Sequence, residues 1–491
     1  MSFRIRLILP IIIILFAAYL RFYRFSEFVT FLGDQGRDAI IIKRIITLEH
    51  FPAIGAPSSL GQIFLGPFYY YLIAPFLLFF NFNPVGPAFG VGFLSIVGAI
   101  FAFKIVKKEF DFITALIFLI FISFSAVNVQ LARFSWNPNL LPVFSFLALY
   151  FFDKTLTQKN KRYAALFGSF LSFSIQLHHL AFVLIIPTIL SYLSSRIYFG
   201  ISLNKILKQV QNDLKIILIA FISFVFFSLP LLIFDLRHNF LNTKNLLKFF
   251  SEGNPTDQEQ FISRFLETNN FFYTHIFQTD FNQYFAFILT VVLIYITVKK
   301  FKLKNYFFIY INLVTFISYL LIFSVFNTAR NFHYYNPVYF SFYLILSLLI
   351  TSISKNKVFK YFIIIFVLAL YIFFNLKSLS YLFSTRGNNQ IKKAEIIADS
   401  ILRDNPQIRF QTIALPYLET DGHIRYYLEI KGKRPLPADT LQEPLELFVL
   451  CFEKDCQVLG SPQWQIAAFK RAKVDKIWKV EGVKIYKLIH K

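Results

Sequence analysis

Long apolar stretches recur from residue 7 to residue 376, and the short polar connections between them carry lysine and arginine far more often than acids. As a helix, a stretch of about 20 apolar residues matches the hydrocarbon thickness of a bilayer. No single soluble core could absorb so many of them, since 56% of the chain is apolar and only 16% is charged. The chain therefore reads as a polytopic, mainly α-helical membrane protein. Its opening helix follows Arg4 and Arg6 and shows no small-residue cleavage site, as expected of an uncleaved signal-anchor with a cytoplasmic N-terminus.

Charge then orients the helices. The connections at Arg4/Arg6, Lys104–Lys108, Lys154–Arg162, Arg196–Lys215, Lys299–Lys304 and Lys355–Lys360 hold 20 Lys and Arg against four acids, Glu109, Asp111, Asp153 and Asp213. The remaining connections are nearly neutral, with 11 basic and 10 acidic residues. This asymmetry places the first set in the cytoplasm. The net charge of +23 thus reports topology, and no basic face on a soluble domain points to nucleic acid. Spans are expected at about 7–24, 85–106, 112–132, 139–152, 163–176, 179–195, 215–235, 284–298, 305–325, 335–353 and 358–376. The apolar stretch 64–82 would break the charge rule as a full crossing, so it reads as a re-entrant or interfacial element. About eleven crossings leave the segment after residue 376 outside.

Five groups of polar residues then fall on that outer face. The first connection, residues 25–63, carries Asp34-Gln35-Gly36-Arg37-Asp38, followed by an amphipathic run at 38–48 that reads as a surface helix. A carboxylate beside a bilayer is costly unless paired, hydrated or in use. The turn at 133–139 supplies Arg133, Trp136 and Asn137, and the segment 234–240 supplies Arg237 and His238. His178-His179 joins two short spans, and the stretch 329–335 holds Arg330, His333 and Tyr334. Each has a plain structural reading as well. The arginines can anchor at the lipid headgroups, the aromatics can form an interfacial belt, and the histidines can be a satisfied helix-end pair. Asp38 is equally placed to cap the surface helix. Their shared face is what favours a site.

Arginines and histidines at the outer helix ends suit a lipid-linked phosphate, which guanidinium groups grip bidentately. An aspartate facing them can take a proton from an acceptor hydroxyl or amine, while a phosphate leaving group needs charge neutralisation. These features point to sugar transfer from a polyprenyl-phosphate donor at the extracytoplasmic face of the cell membrane. The chain here resembles the GT-C glycosyltransferases, close to the protein-mannosyltransferase-like and aminoarabinose-transferase-like group, over roughly residues 1–380. The resemblance rests on Asp34-Gln35 with Arg37-Asp38 after the first helix, on Gly66-Pro67-Phe68-Tyr69-Tyr70-Tyr71, and on Arg133 with Trp136-Asn137-Pro138. It implies a GT-C-like bundle, an inverting reaction, Asp34 as catalytic base and an isoprenoid-phosphate sugar donor. Gln35 stands where that group usually has a second acid, so a two-carboxylate mechanism has to recruit Asp38. With no acid between Asp111 and Asp153, metal-independent catalysis is favoured over a divalent metal, and no other cofactor is expected. The phosphate is expected to meet Arg37, Arg237, His238, Arg330, His333 and Tyr334. The pocket or acceptor side is expected to use Tyr70, Arg133, Trp136, Asn137, His178 and His179.

Residues 377–491 change character and read as a small extracytoplasmic α/β domain, with a helix at 389–404 and strands at 409–415, 446–452 and 476–489. Cys451 and Cys456, the only cysteines, are spaced for a disulfide but equally read as two thiols. Two other classes compete with the transferase. A flippase or transporter would carry charge at mid-membrane along a path, and a ligase-like envelope enzyme would share the same cationic bowl. The expected partners are the lipid-linked sugar, a lipid, glycan or protein acceptor, and membrane lipids. Reporter fusions at residues 110, 200 and 303 are expected to report cytoplasm and a C-terminal fusion the outside. A cytoplasmic C-terminus would dissolve the common face.

Overall fold

The computed structural model describes residues 3–58, 63–198, 203–252, 258–301, 306–325, 330–417 and 419–491, with side chains throughout except at 3, 195–212, 249–250 and 252–259. Residues 59–62, Lys302, Lys304 and Ala329 of the loops named above lie outside it, as do the side chains of Arg196, Lys205 and Lys208. Seven described helices are long and apolar enough to cross a membrane: Arg4–Phe22, Val85–Glu109, Asn137–Gln158, Asp213–Arg237, Gln283–Lys300, Phe307–Val325 and Lys357–Ser378. Helices also occupy the four other expected spans, at Phe112–Phe124, Lys161–Leu177, His179–Tyr198 and Tyr339–Thr351. Phe118, Phe121, Tyr343 and Leu344 are fully buried, so Phe112–Phe124 and Tyr339–Thr351 lie inside the bundle rather than at its lipid face.

The stretch 64–82 forms a helix of 12 residues, Phe68–Phe79. At about 18 Å it falls short of the ~30 Å hydrocarbon thickness. Its Tyr69, Tyr70, Ile73 and Leu77 are buried. The long outer connection after Arg237 is also helical, at Leu241–Glu252 and Gln258–Phe277, and the second of these buries Phe272, Tyr273 and Ile276 in the bundle.

Two buried arginines hold the C-terminal end of the first helix. Arg133 is only 3% exposed. Its guanidinium donates to the carbonyls of Leu20 at 2.9 Å, Arg21 at 2.8 Å and Tyr23 at 2.9 Å. Those carbonyls have no partner within a helix that is ending, so Arg133 caps it. Arg21 donates to Ser95 Oγ and to the carbonyls of Ala17, Ile122 and Ser123. A bond to a charged donor contributes about 1.5–3 kcal/mol, which is enough to keep both side chains structural.

The surface helix begins earlier than expected, at Gly33, and runs to Ile46; it is called the acidic helix below. Gln35 Oε1 accepts from the Leu32 amide at 3.1 Å, closing the first turn one residue before the glycine. The helix therefore starts ahead of Asp34, and Asp34 and Asp38 stand one turn apart on it.

The tail folds into helix Gln390–Arg403 and four strands, β1 (Phe410–Leu415), β2 (Glu446–Cys451), β3 (Ala472–Val480) and β4 (Val483–His490), in the order β1-β2-β4-β3. β1 and β2 are parallel and the other pairs antiparallel. The expected strand at 476–489 is thus a hairpin, reversed at Glu481-Gly482 with both residues at positive φ. Cys451 and Cys456 are bridged. Between β1 and β2 lies a helix unseen in the sequence, Gly422–Ile430, here the docking helix.

The docking helix lies directly on the acidic helix. A Cβ at Gly36 would overlap the backbone of Gly422 and His423, and one at Gly422 would overlap the carbonyl of Gly33. Around this contact Phe31 meets His423, Tyr426 and Tyr427 edge-on. The nearly buried carboxylate of Glu429 takes two bonds from Arg44, at 3.0 and 2.7 Å, and one from Lys43 at 3.5 Å. Tyr426 Oη donates to the Phe82 carbonyl at 2.5 Å, and Asn389 N donates to the Glu27 carbonyl at 2.9 Å. Glu429→Ala is expected to cost about 1–3 kcal/mol. Gly36→Val should free the tail, seen as new proteolysis between residues 377 and 390 in detergent. A Gly36→Val protein as protease-resistant as the wild type would show that the helices have room to spare.

Candidate active site

The acidic helix presents Asp34 and Arg37 to a cavity of about 250 Å³. Trp136, Asn137, His178, His179, His333 and Tyr334 line it from other elements, and the apolar wall includes Leu65, Leu180, Phe182, Val183, Leu246 and Phe323. Four of the five sequence clusters are therefore brought to one place by packing. Trp136 and His333 meet edge-to-face at 4.7 Å, and His333 lies 6.0 Å from His178.

Arg37 is the hinge of the acidic end. Its Nε and Nη2 donate to Asp38 Oδ1 at 3.0 and 2.9 Å, while Nη1 donates to Asp34 Oδ1 at 2.9 Å. Tyr70 Oη adds a third bond to Asp38 Oδ1 at 3.1 Å. Asp38 Oδ2 is buried with no hydrogen-bond partner among the described residues. The two pairs differ in setting, because the Asp38 side chain is 1% exposed and that of Asp34 54%. Burial raises the Asp38 carboxyl above its ordinary pKa, and the adjacent Arg37 only partly reverses this. Burial also opposes the charge on Arg37, but the pull of Asp38, Tyr70 and Asp34 holds its pKa above the usual value. Asp38 therefore anchors the guanidinium from below, while Asp34 stays at the cavity surface.

The histidines are neutral wall residues. Burial, with His179 and His333 nearby, pushes His178 down to about 3, and burial pushes His333 down to about 4. His178 Nδ1 accepts from the Leu180 amide at 3.2 Å, and His179 Nε2 lies 3.3 Å from the Phe64 carbonyl. They serve as the helix-end pair as well as lining the cavity. Among the described residues no group of three or more His, Cys, Asp or Glu is placed to hold a metal ion.

Several expected residues lie elsewhere. Arg133 caps the first helix, and Tyr70 stands behind Asp38 without lining the cavity. Arg237 and His238 are exposed, with His238 Nδ1 on the Phe234 carbonyl. Arg330 pairs with Glu267 at 2.8 Å and donates to Thr268 Oγ1 and the Arg264 carbonyl. None of these five contributes to the cavity wall, so the expected bowl of several arginines is reduced to Arg37 among the described residues. In the segment 234–240 the structural residue is instead Asp235. Its Oδ1 accepts from the Asn242 amide at 2.7 Å, and the Asn242 side chain pairs with both backbone groups of Phe64. That pairing sets helix Leu241–Glu252, and hence Leu246, against the cavity. An Asp seven residues before an Asn was the only trace of this in the sequence.

The bundle with its appended sheet domain shares its fold with solved membrane-protein structures. It matches the crystal structure of ArnT from Cupriavidus metallidurans bound to undecaprenyl phosphate, with a TM-score of 0.61 and 10% identity over 97% of both chains. It also matches the Archaeoglobus fulgidus oligosaccharyltransferase in the apo form, with a TM-score of 0.54 and 14% identity, over 88% of this chain and 64% of that one. A third match is the archaeal oligosaccharyltransferase AglB from the same organism, in complex with an inhibitory peptide and a dolichol-phosphate, at a TM-score of 0.51 and 14% identity. No family model and no curated protein sequence matches the chain. At such identities the likeness establishes the fold and the multi-pass membrane architecture.

Asp38→Ala, which leaves Arg37 without its buried partner, should cost about 3–5 kcal/mol, whereas Tyr70→Phe, which removes one neutral donor from Asp38 Oδ1, should cost about 1 kcal/mol. Thermal unfolding of the detergent-solubilised variants measures both. An Asp38→Ala protein as stable as the wild type would show that Arg37 does not depend on Asp38.

Proposed function

We propose that the protein is an integral-membrane glycosyltransferase that moves a sugar from a polyprenyl-phosphate donor to an envelope acceptor at the extracytoplasmic face. One observation carries this reading: on a fold shared with ArnT, Asp34 and Arg37 open onto a cavity whose lining is otherwise uncharged and largely apolar. An amphipathic ligand with a phosphate head and an isoprenoid tail fits that division, because the head needs charge neutralisation and the tail needs dry apolar surface. The ArnT structure is bound to undecaprenyl phosphate and the AglB structure is a complex with a dolichol-phosphate, which supports the same ligand class here.

In this reaction the acceptor hydroxyl oxygen attacks the anomeric carbon from the side opposite the phosphate. The bond between that carbon and the phosphate oxygen breaks, with inversion, and polyprenyl phosphate leaves with its electron pair. Asp34 takes the acceptor proton, and Arg37 faces the developing phosphate charge. Trp136 offers a flat apolar face for the sugar ring, and the neutral His178 and His333 shape the pocket without adding charge. The acceptor is a lipid, glycan or protein. No metal is assigned a role, since among the described residues Asp34 is the one acid that lines the cavity.

Asp34→Asn should lower turnover of a polyprenyl-phosphate sugar at least about 100-fold, the scale of a positioned general base, while the protein remains folded. Near-normal turnover by a folded Asp34→Asn protein would sink the base assignment. Turnover is expected to persist in excess EDTA, and loss restored by added Mg²⁺ or Mn²⁺ would overturn the metal-independent reading.

A further inference from the structure

The acidic end of the cavity has a charge imbalance. Among the described lining residues the charged side chains are Asp34 and Arg37, and the cavity histidines are neutral. Arg37 is already engaged by two carboxylates, Asp38 below and Asp34 at the surface. Together the three side chains sum to one negative charge. A site of that sign repels a phosphate as long as both carboxylates hold the guanidinium.

The two pairs are unequal, which shows where the arrangement can give. Arg37 makes two bonds to the buried Asp38 through Nε and Nη2, but only one to Asp34, through Nη1. An ion pair between half-exposed partners is worth about 0–1 kcal/mol, whereas breaking a buried one costs several. Asp38 cannot release Arg37 cheaply, and Asp34 can.

We infer that Asp34 and Arg37 form a latch that donor binding opens: the donor phosphate takes Nη1 from Asp34, and the carboxylate so released becomes the base for the acceptor. This rests on the transferase reading above and adds an order of events to it. Before the donor arrives, Arg37 Nη1 occupies Asp34 Oδ1. Once the phosphate takes Nη1, that oxygen is open to the acceptor proton. Arg37 keeps Asp38 throughout, so its position does not change. The carboxylate is thereby released only when a donor is present, and an acceptor alone meets an aspartate whose Oδ1 is occupied. No residue from the exposed Arg237 region is required.

Binding of undecaprenyl phosphate, the probe, to the detergent-solubilised full-length protein tests the latch in a double-mutant cycle of Asp34→Asn and Arg37→Ala. Asp34→Asn is expected to bind the probe about two- to fivefold tighter, the range that corresponds to relieving one exposed ion pair. In an Arg37→Ala background the same substitution should give no gain. A gain of equal size in that background would mean simple charge repulsion and would overturn the latch. Weaker binding by Asp34→Asn would also overturn it, as expected if Asp34 held the phosphate through a cation. If Arg37→Ala binds as well as the wild type, the phosphate does not meet Arg37 and the latch is wrong, while the transferase reading stands. If the wild type fails to bind the probe at all, the transferase reading falls and the latch with it. Asp34→Ser provides the second variant should Asp34→Asn fail to fold.

Discussion

The contact between Gly33, Gly36 and Gly422 is the constraint on which the rest of the site depends. A helix lying on a membrane surface has one face toward the bundle and one toward water, and nothing in that setting fixes its rotation. Here helix Phe68–Phe79 packs beneath it and the docking helix lies on top, at backbone contact distance. Such close approach is available only to glycine, because any Cβ occupies the space that the partner backbone fills. Glu429, bound by Arg44 and Lys43, then resists sliding along the helix axis. Rotation and translation are both set, and Asp34 and Arg37 face the cavity as a result. The tail thus helps to build the cavity, although it contributes no residue to the cavity wall among those described.

This dependence explains how far the sequence could be read. Apolar length, basic connections and the one-face grouping of polar clusters made the bundle and its expected spans legible, because bilayer thickness and the positive-inside bias act locally along the chain. The tail's first helix and three of its strand regions were legible for the same local reason. The docking helix was not. Its sequence, GHIRYYLEI, buries seven of nine residues against two partners, so no single polar face repeats at the helical period. The acidic helix starts at Gly33 and not at residue 38, because the apolar periodicity begins only at Asp38, whereas Gln35 closes a turn ahead of Asp34 and Gly33 and Gly36 are set by close packing between two helices.

Among the site residues, types that interact over long range in sequence were the ones misassigned. Arg133 lies beside Trp136 and Asn137 in the chain, which suggested a shared cavity. Its guanidinium points instead at the end of the first helix, whose carbonyls stand more than a hundred residues away in sequence. Arg330 similarly answers to Glu267 and Thr268. Sequence reading can place an arginine on a face, but it cannot say which unpaired carbonyls or carboxylates lie within reach. The two histidines fill both readings, since His178 caps a helix end, His179 meets the Phe64 carbonyl, and both line the cavity.

A protein with a net charge of +23 thus keeps a locally negative corner at Asp34, Arg37 and Asp38. What governs that corner is local. A free guanidinium beside an apolar cavity would be poorly solvated. Asp38 solves that problem permanently, because it is buried and doubly bonded to the guanidinium, and Tyr70 steadies its oxygen. Asp34 completes the shell only at the surface, where water can replace it at small cost. The same pair of carboxylates therefore divides by burial into a fixed support and an exchangeable partner, and that division follows from one being a helical turn deeper than the other.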